Sequence, residues 1–256
     1  MNRRIISYNI SESFNLVRWC LVAIAFAFVA IVSVAKYVNL SDATSITFSS
    51  LETTYLILND TISVVYIYLP LYLFVICGLM FDDNFGSLDI IKCGSRTKWL
   101  AGKYLTLLFY TLMFFILLFG MNFLISDQVF PYSAQWSSDF MNVQVLLGQE
   151  VRNFAYGPMQ MIGLSLLSVF FLYLFAGTVS IAFSVLTNKE ALALLFSLVI
   201  GILVSISFVM GFEVMAQKSI GAFMLQNSLL IIGTVITLLI TSRVVNHKDF
   251  SIQKKH

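Results

Sequence analysis

Trp99-Leu-Ala-Gly-Lys103-Tyr-Leu-Thr-Leu-Leu-Phe-Tyr110-Thr-Leu-Met-Phe-Phe-Ile-Leu-Leu-Phe-Gly120-Met-Asn-Phe-Leu-Ile125 carries one charge, Lys103, close to its start. At 1.5 Å per residue the run makes about 40 Å of helix, more than the ~30 Å hydrocarbon core of a bilayer. Lipid gives backbone N–H and C=O groups no partner, so a run of this kind is a helix, and the alternating pattern of a barrel is absent. Five further runs read the same way: Trp19 to Val38, Thr61 to Phe81, Met159 to Leu186, Ala191 to Phe212 and Ile220 to Ile240. The expected fold is therefore all-α and polytopic, one transmembrane domain over residues 1–256 with six spans.

Composition agrees. The chain of 256 residues is 59% hydrophobic and 11% charged, against about 45 to 50% apolar and about 25% charged in soluble domains. Pro70, Pro131 and Pro158 are the only prolines, and no low-complexity linker divides the chain. A net charge of +2 is too small to imply nucleic acid. Cys20, Cys77 and Cys93 have no Cys-x-x-Cys spacing, and His247 and His256 lie in the charged C-terminal tail. Disulfides, zinc and imidazole chemistry at membrane depth are not expected. Ser33-Val34-Ala35 looks like a cleavage site, but the preceding polar segment is too long for a signal peptide and the apolar run is a full span.

Orientation follows from the basic residues. With the N-terminus inside, Arg3, Arg4, Arg18, Lys92, Arg96, Lys98, Lys103, Lys189, Arg243, Lys248, Lys254 and Lys255 are cytoplasmic, and only Lys36, Arg152 and Lys218 of the 15 fall outside. The positive-inside rule thus puts both termini in the cytoplasm. The outer loops, Asn39 to Asp60 and Ser126 to Pro158, then carry Asp42, Glu52, Asp60, Asp127, Asp139 and Glu150. That face would attract cations or would simply be solvated. Before the first span, Ile5, Ile6, Ile10, Phe14, Val17 and Trp19 recur at roughly helical spacing among polar residues, which predicts an amphipathic helix lying in the inner interface.

Small residues recur every four positions at Ala176, Ser180 and Ser184, and again at Ser197, Gly201 and Ser205. Such stripes let helix backbones approach closely; the second stripe is a candidate contact with another subunit. Tyr66, Tyr68, Pro70 and Tyr72 crowd one span, where proline frees a carbonyl and tyrosine hydroxyls want polar partners. They either line a pathway or pack.

Between the second and third spans runs Asp82-Asp83-Asn84-Phe85-Gly86-Ser87-Leu88-Asp89-Ile90-Ile91-Lys92-Cys93-Gly94-Ser95-Arg96. Its spacing predicts a short helix with Phe85, Leu88 and Ile91 on one face, Asp89 and Lys92 on the other, and Gly94-Ser95 as its end. In these residues the chain resembles the six-helix permeases of ATP-binding-cassette (ABC) exporters of the ABC-2 type. There an acidic residue precedes Gly-[Ser/Thr]-Leu-[Asp/Glu] and an apolar pair, then Ser-Arg, then Gly-Lys opening the third span. Here these are Asp83, Gly86-Ser87-Leu88-Asp89, Ile90-Ile91, Ser95-Arg96 and Gly102-Lys103, with Asp83 where Glu is more usual and Cys93-Gly94 where proline is common.

The resemblance implies a coupling helix, with Asp83, Phe85, Gly86, Leu88, Asp89, Ile91 and Arg96 contacting an ATPase. That ATPase must be a separate subunit, in two copies, because Gly-x-x-x-x-Gly-Lys-[Ser/Thr] is absent. ATP and magnesium would bind there, and the chain itself would be neither an enzyme nor a cofactor carrier. Six spans enclose little space, so a second identical or related permease would complete the pathway. By the same resemblance the substrate is amphipathic or hydrophobic, such as an antimicrobial peptide, and the site is a bacterial plasma membrane. Two rivals stand beside this reading: a non-transporting immunity or sensor subunit of the same fold, and an intramembrane enzyme. The latter needs ionisable groups at membrane depth, and the spans hold essentially none apart from Lys36 and Lys103 near their ends.

Overall fold

A computed structural model describes Ile10 and residues 13–80, 93–140, 156–216 and 220–247, with the side chains of 207–222 excepted. All its elements are helical. They are α1 (Leu16–Thr44), α2 (Ser50–Leu58), a π-helical turn (Ser63–Tyr68), α3 (Leu69–Ile76), a 3-10 turn (Cys77–Leu79), α4 (Arg96–Val129), α5 (Pro158–Thr187), α6 (Glu190–Ala216) and α7 (Ile220–His247). By length and composition α1, α4, α5 and α7 can each cross a membrane, and α2 with the helical segment Ser63–Leu79 forms a fifth candidate bent by 63°. In α6 the stretch Glu190–Ile206 is apolar but shorter. The chain is thus a helical membrane protein with four or five such spans among the described residues, where the apolar runs alone predict six.

Exposure supports the membrane setting. Ile24, Phe28, Leu225, Leu229 and Leu239 each leave about 60% or more of their surface uncovered, a density of exposed large aliphatics that soluble monomers avoid.

Two compact units divide the contacts: Val17–Tyr68 with Met113–Phe170, and Met1–Leu16 with Leu69–Leu112 and Phe171–His256. In the first, α1 buries Val22, Phe26, Ala30, Val34 and Tyr37, a stripe at three- and four-residue spacing that makes one helix face. Phe26 meets Tyr68 and Phe114 edge-on at 5.5 and 5.0 Å between ring centres. The segment expected as an outer loop instead contains α2, every residue of which is buried. Its start is written in Ser49-x-x-Glu52. Glu52 N–H donates to Ser49 Oγ at 3.3 Å and Ser49 N–H to Glu52 Oε2 at 2.8 Å, a reciprocal pair that satisfies two otherwise orphaned donors. Beyond the loop residue Pro131, whose carbonyl accepts from Ser50 N–H at 3.0 Å, Trp136 stacks near Phe140 and Tyr55 at 4.4 and 5.4 Å.

The π-helical turn has a local cause. Pro70 has no N–H to give the carbonyl of Tyr66, so the regular ladder cannot pass through it, and a wider turn ahead of the proline is one way helices absorb such a break. Asp60 starts this segment, accepting from Ser63 N–H at 3.0 Å and Ser63 Oγ at 2.6 Å.

In the second unit close approach is set by glycine. A Cβ on Gly177 of α5 would stand 2.6 Å from Tyr72 Oη and 2.7 Å from Leu107 Cδ1, so only hydrogen fits. A Cβ on Gly201 of α6 would meet Leu69 Cδ2 at 3.0 Å, and one on Gly233 of α7 would meet Phe175 at 3.1 Å.

Candidate functional site

The predicted coupling segment lies almost wholly outside the described residues: Asp83, Phe85, Gly86, Leu88, Asp89 and Ile91 all fall there, and Arg96 alone is placed. Its surroundings show how the chain leaves that segment. Gly94 adopts φ +71°, the left-handed conformation that glycine supplies without strain. Ser95 then caps α4: its Oγ accepts from Lys98 N–H at 3.2 Å and its carbonyl accepts from Trp99 N–H at 3.1 Å. The following Arg96 points at the far end of the chain. Its guanidinium donates to the carbonyls of Val245 and Asn246 at 3.1 and 2.9 Å.

Those carbonyls belong to the last turn of α7, where C=O groups lack helical partners and the helix dipole is negative. A guanidinium is the best-suited group for them. The start of α4 and the end of α7 are thereby tied by a charged, two-point bond one residue past the predicted loop helix. Lys98, Arg243, Asn246 and His247 are exposed around it, which gives this end a basic rim.

The three pathway candidates differ in exposure. Tyr72 is fully buried, its hydroxyl 2.8 Å from Thr111 Oγ1 and its ring 5.2 Å from Tyr173. Pro70 is half-buried, and Tyr66 leaves 56% of its surface exposed. The stripe Ser197, Gly201 and Ser205 is buried, and Gly201 faces Leu69 of α3. At Gly201, then, the close approach is to a helix of the same chain. Ala176, Ser180 and Ser184 are likewise buried in α5, and the Ser180 and Ser184 hydroxyls donate back to the carbonyls of Ala176 and Ile181.

Of the predicted interfacial N-terminal helix, Ile10 and residues from Ser13 onward are placed. Ser13 is buried with its Oγ 2.9 Å from Tyr110 Oη, which donates to the Ile10 carbonyl at 3.4 Å. This stretch is anchored on α4 by polar bonds.

The outer acidic residues turn out to be structural in part. Glu52 is wholly buried, accepting from Ser49 N–H and also from Ser137 N–H of the loop after α4. Asp139 accepts from Thr47 Oγ1 at 3.3 Å across the same pair of loops. Tyr68, one of the tyrosines crowding the second run, is buried in its unit, as are Asn122 and Ser126, which the runs did not single out. No group of three or more His, Cys, Asp or Glu side chains fit to hold a metal occurs among the described residues.

Comparison with known proteins returns no matching family model, no matching curated protein and no matching solved structure.

Proposed function

We propose that this chain is the permease subunit of an ATP-driven exporter of the ABC-2 type, with ATP hydrolysed on a separate ATPase. One observation carries the reading: Asp83, Gly86-Ser87-Leu88-Asp89, Ile90-Ile91, Ser95-Arg96 and Gly102-Lys103 fall in order between two apolar runs. The placement of Arg96 supports it. A loop that merely joined two spans would have no need of a two-point bond to the end of the last helix, whereas a loop that must pass on a displacement needs a stiff connection to the bundle.

In this reading α6 is the fifth of six spans, the bent pair is the second, and both termini are cytoplasmic. Two copies, or this chain with a related one, enclose the pathway, since six spans alone enclose little space. The substrate is amphipathic or hydrophobic, with an antimicrobial peptide as the specific choice by resemblance, and the membrane is a bacterial plasma membrane. The test is reconstitution of the chain with the ATPase that co-purifies with it. ATP-dependent movement of peptide into inverted vesicles is expected, and binding with stimulated hydrolysis but no flux would instead identify an immunity or sensor subunit.

A further inference from the structure

In the unit that holds Leu69–Leu112 and Phe171–His256, two exposed cations stand at the ends of two exposed apolar stripes. On α4, Lys98 is followed at 7, 10 and 14 residues by Leu105, Leu108 and Leu112, a spacing that keeps all four on one helix face. On α7, Arg243 is preceded at 4, 7 and 11 residues by Leu239, Ile236 and Ile232, again a single face. All eight side chains are exposed. Each helix therefore presents a strip of hydrocarbon that ends in a positive charge.

Arg96 brings the two charged ends together. Its Nη1 donates to the carbonyls of Val245 and Asn246 at 3.1 and 2.9 Å. Lys98 is two residues from Arg96 and Arg243 two residues from Val245, so three cations share one end of the unit. Nothing in the two helices offsets them: the only carboxylate in α4 is Asp127, 29 residues beyond Lys98, and α7 has none.

From Lys98 to Leu112 the helix rises about 21 Å at 1.5 Å per residue, more than the about 15 Å of hydrocarbon in one leaflet. Acyl chains can lie along such a stripe, and the headgroup is what discriminates. Ammonium and guanidinium groups pair with phosphate oxygens through charge-assisted hydrogen bonds. With three cations and no carboxylate beside them, a headgroup of net negative charge is favoured over a zwitterionic one, whose own ammonium is repelled. Basic groups between spans at the membrane surface recognise lipids in this way. We infer that Lys98 and Arg243, on helix ends held together by Arg96, form a binding site for an anionic phospholipid, with its phosphate on the two cations and its acyl chains along the two stripes. The inference goes beyond the exporter reading and holds whether or not an ATPase docks nearby.

Thermal unfolding of the purified full chain in detergent tests it, with dioleoyl phosphatidylglycerol or dioleoyl phosphatidylcholine added at one molar ratio and fixed ionic strength. A ligand that binds only the folded state raises Tm, and phosphatidylglycerol should raise it about 2 to 5 °C further than phosphatidylcholine. Lys98→Gln combined with Arg243→Gln should abolish that increment and leave the Tm in phosphatidylcholine close to that of the wild type, since both side chains are exposed and Arg96 keeps its bonds. Lys189→Gln, which removes an exposed cation from the turn between α5 and α6, should retain it. Should the double variant fail to fold, each single variant must lose part of the increment. Equal effects of the two lipids overturn the proposal. So does an increment that survives undiminished in the folded double variant or, in its place, in both single variants, or one that Lys189→Gln removes as fully. A rise of the same size with glycerophosphate, which has the phosphate without the chains, marks a small-anion site and overturns the lipid assignment.

Discussion

Gly177 shows how far one hydrogen atom decides packing in this bundle. A methyl group there would collide with Tyr72 Oη and Leu107 Cδ1, and Tyr72 cannot yield freely because its hydroxyl is held by Thr111. Gly177→Ala should therefore cost roughly 1 to 3 kcal/mol, the usual range for overpacking a filled core, read as a lower unfolding temperature in detergent. Adding Tyr72→Phe removes one of the two clashing atoms and should restore part of the loss; an additive double variant would mean that the two side chains do not meet. Glu52 makes the complementary case. Its carboxylate is buried with two backbone N–H donors from two loops, and bonds to a charged group are worth about 1.5 to 3 kcal/mol each. Glu52→Ala should destabilise the chain by roughly 3 kcal/mol and speed proteolysis around residue 137, whereas unchanged cleavage would show that the loops are held by their aromatic contacts alone. Ser49-x-x-Glu52 is a capping signature visible in the chain, yet the reading of 39–60 as an acidic outer loop passed over it, because charge outside a span looks like solvent exposure until a partner is known.

At the level of elements, apolar length was enough to locate α1, α4, α5 and α7, although α1 continues past Val38 to Thr44 and α7 past Ile240 to His247. Length alone could not show that the second span is bent, since the bend comes from Asn59-Asp60 ending one helix and starting another and from Pro70 breaking the ladder. Nor could it assign helix partners: the spacing of Ser197, Gly201 and Ser205 predicts a close approach but not to which helix, and Leu69 supplies the answer only in three dimensions. Asn122 was hidden for a similar reason, being a single polar residue in a long apolar run whose burial depends on how α4 packs. The tie between α4 and α7 yields the prediction at this scale. Arg96→Ala removes the charged donors from the carbonyls of Val245 and Asn246, at a cost of about 1 kcal/mol at a helix C-terminus. Amide hydrogen exchange in the last turn of α7 should accelerate several-fold while that of α5 stays unchanged. Exchange that is unaffected by the substitution would show that the turn holds without its cap.

For the whole molecule, orientation and energy coupling are the claims that matter. The exposed positions Ala43 and Ser138 should react as cysteines with an impermeant reagent applied from outside, and the exposed Thr97 and Asn246 only after permeabilisation; outside labelling at Thr97→Cys would invert the topology. The central claim is that Phe85 to Lys92 docks on a separate ATPase through Phe85, Leu88 and Ile91, anchors of about 1 to 3 kcal/mol each if they leave water for a cleft. Asp83 and Arg96 would add little affinity of their own, as exposed ion pairs are worth at most ~1 kcal/mol. The direct measurement is co-purification of the ATPase with the Leu88→Asp protein from detergent extract, alongside the unfolding temperature of the membrane subunit. The account predicts that the ATPase is lost, or hydrolysis uncoupled from transport, while the bundle stays folded; retention of the ATPase at wild-type level with normal transport would contradict it.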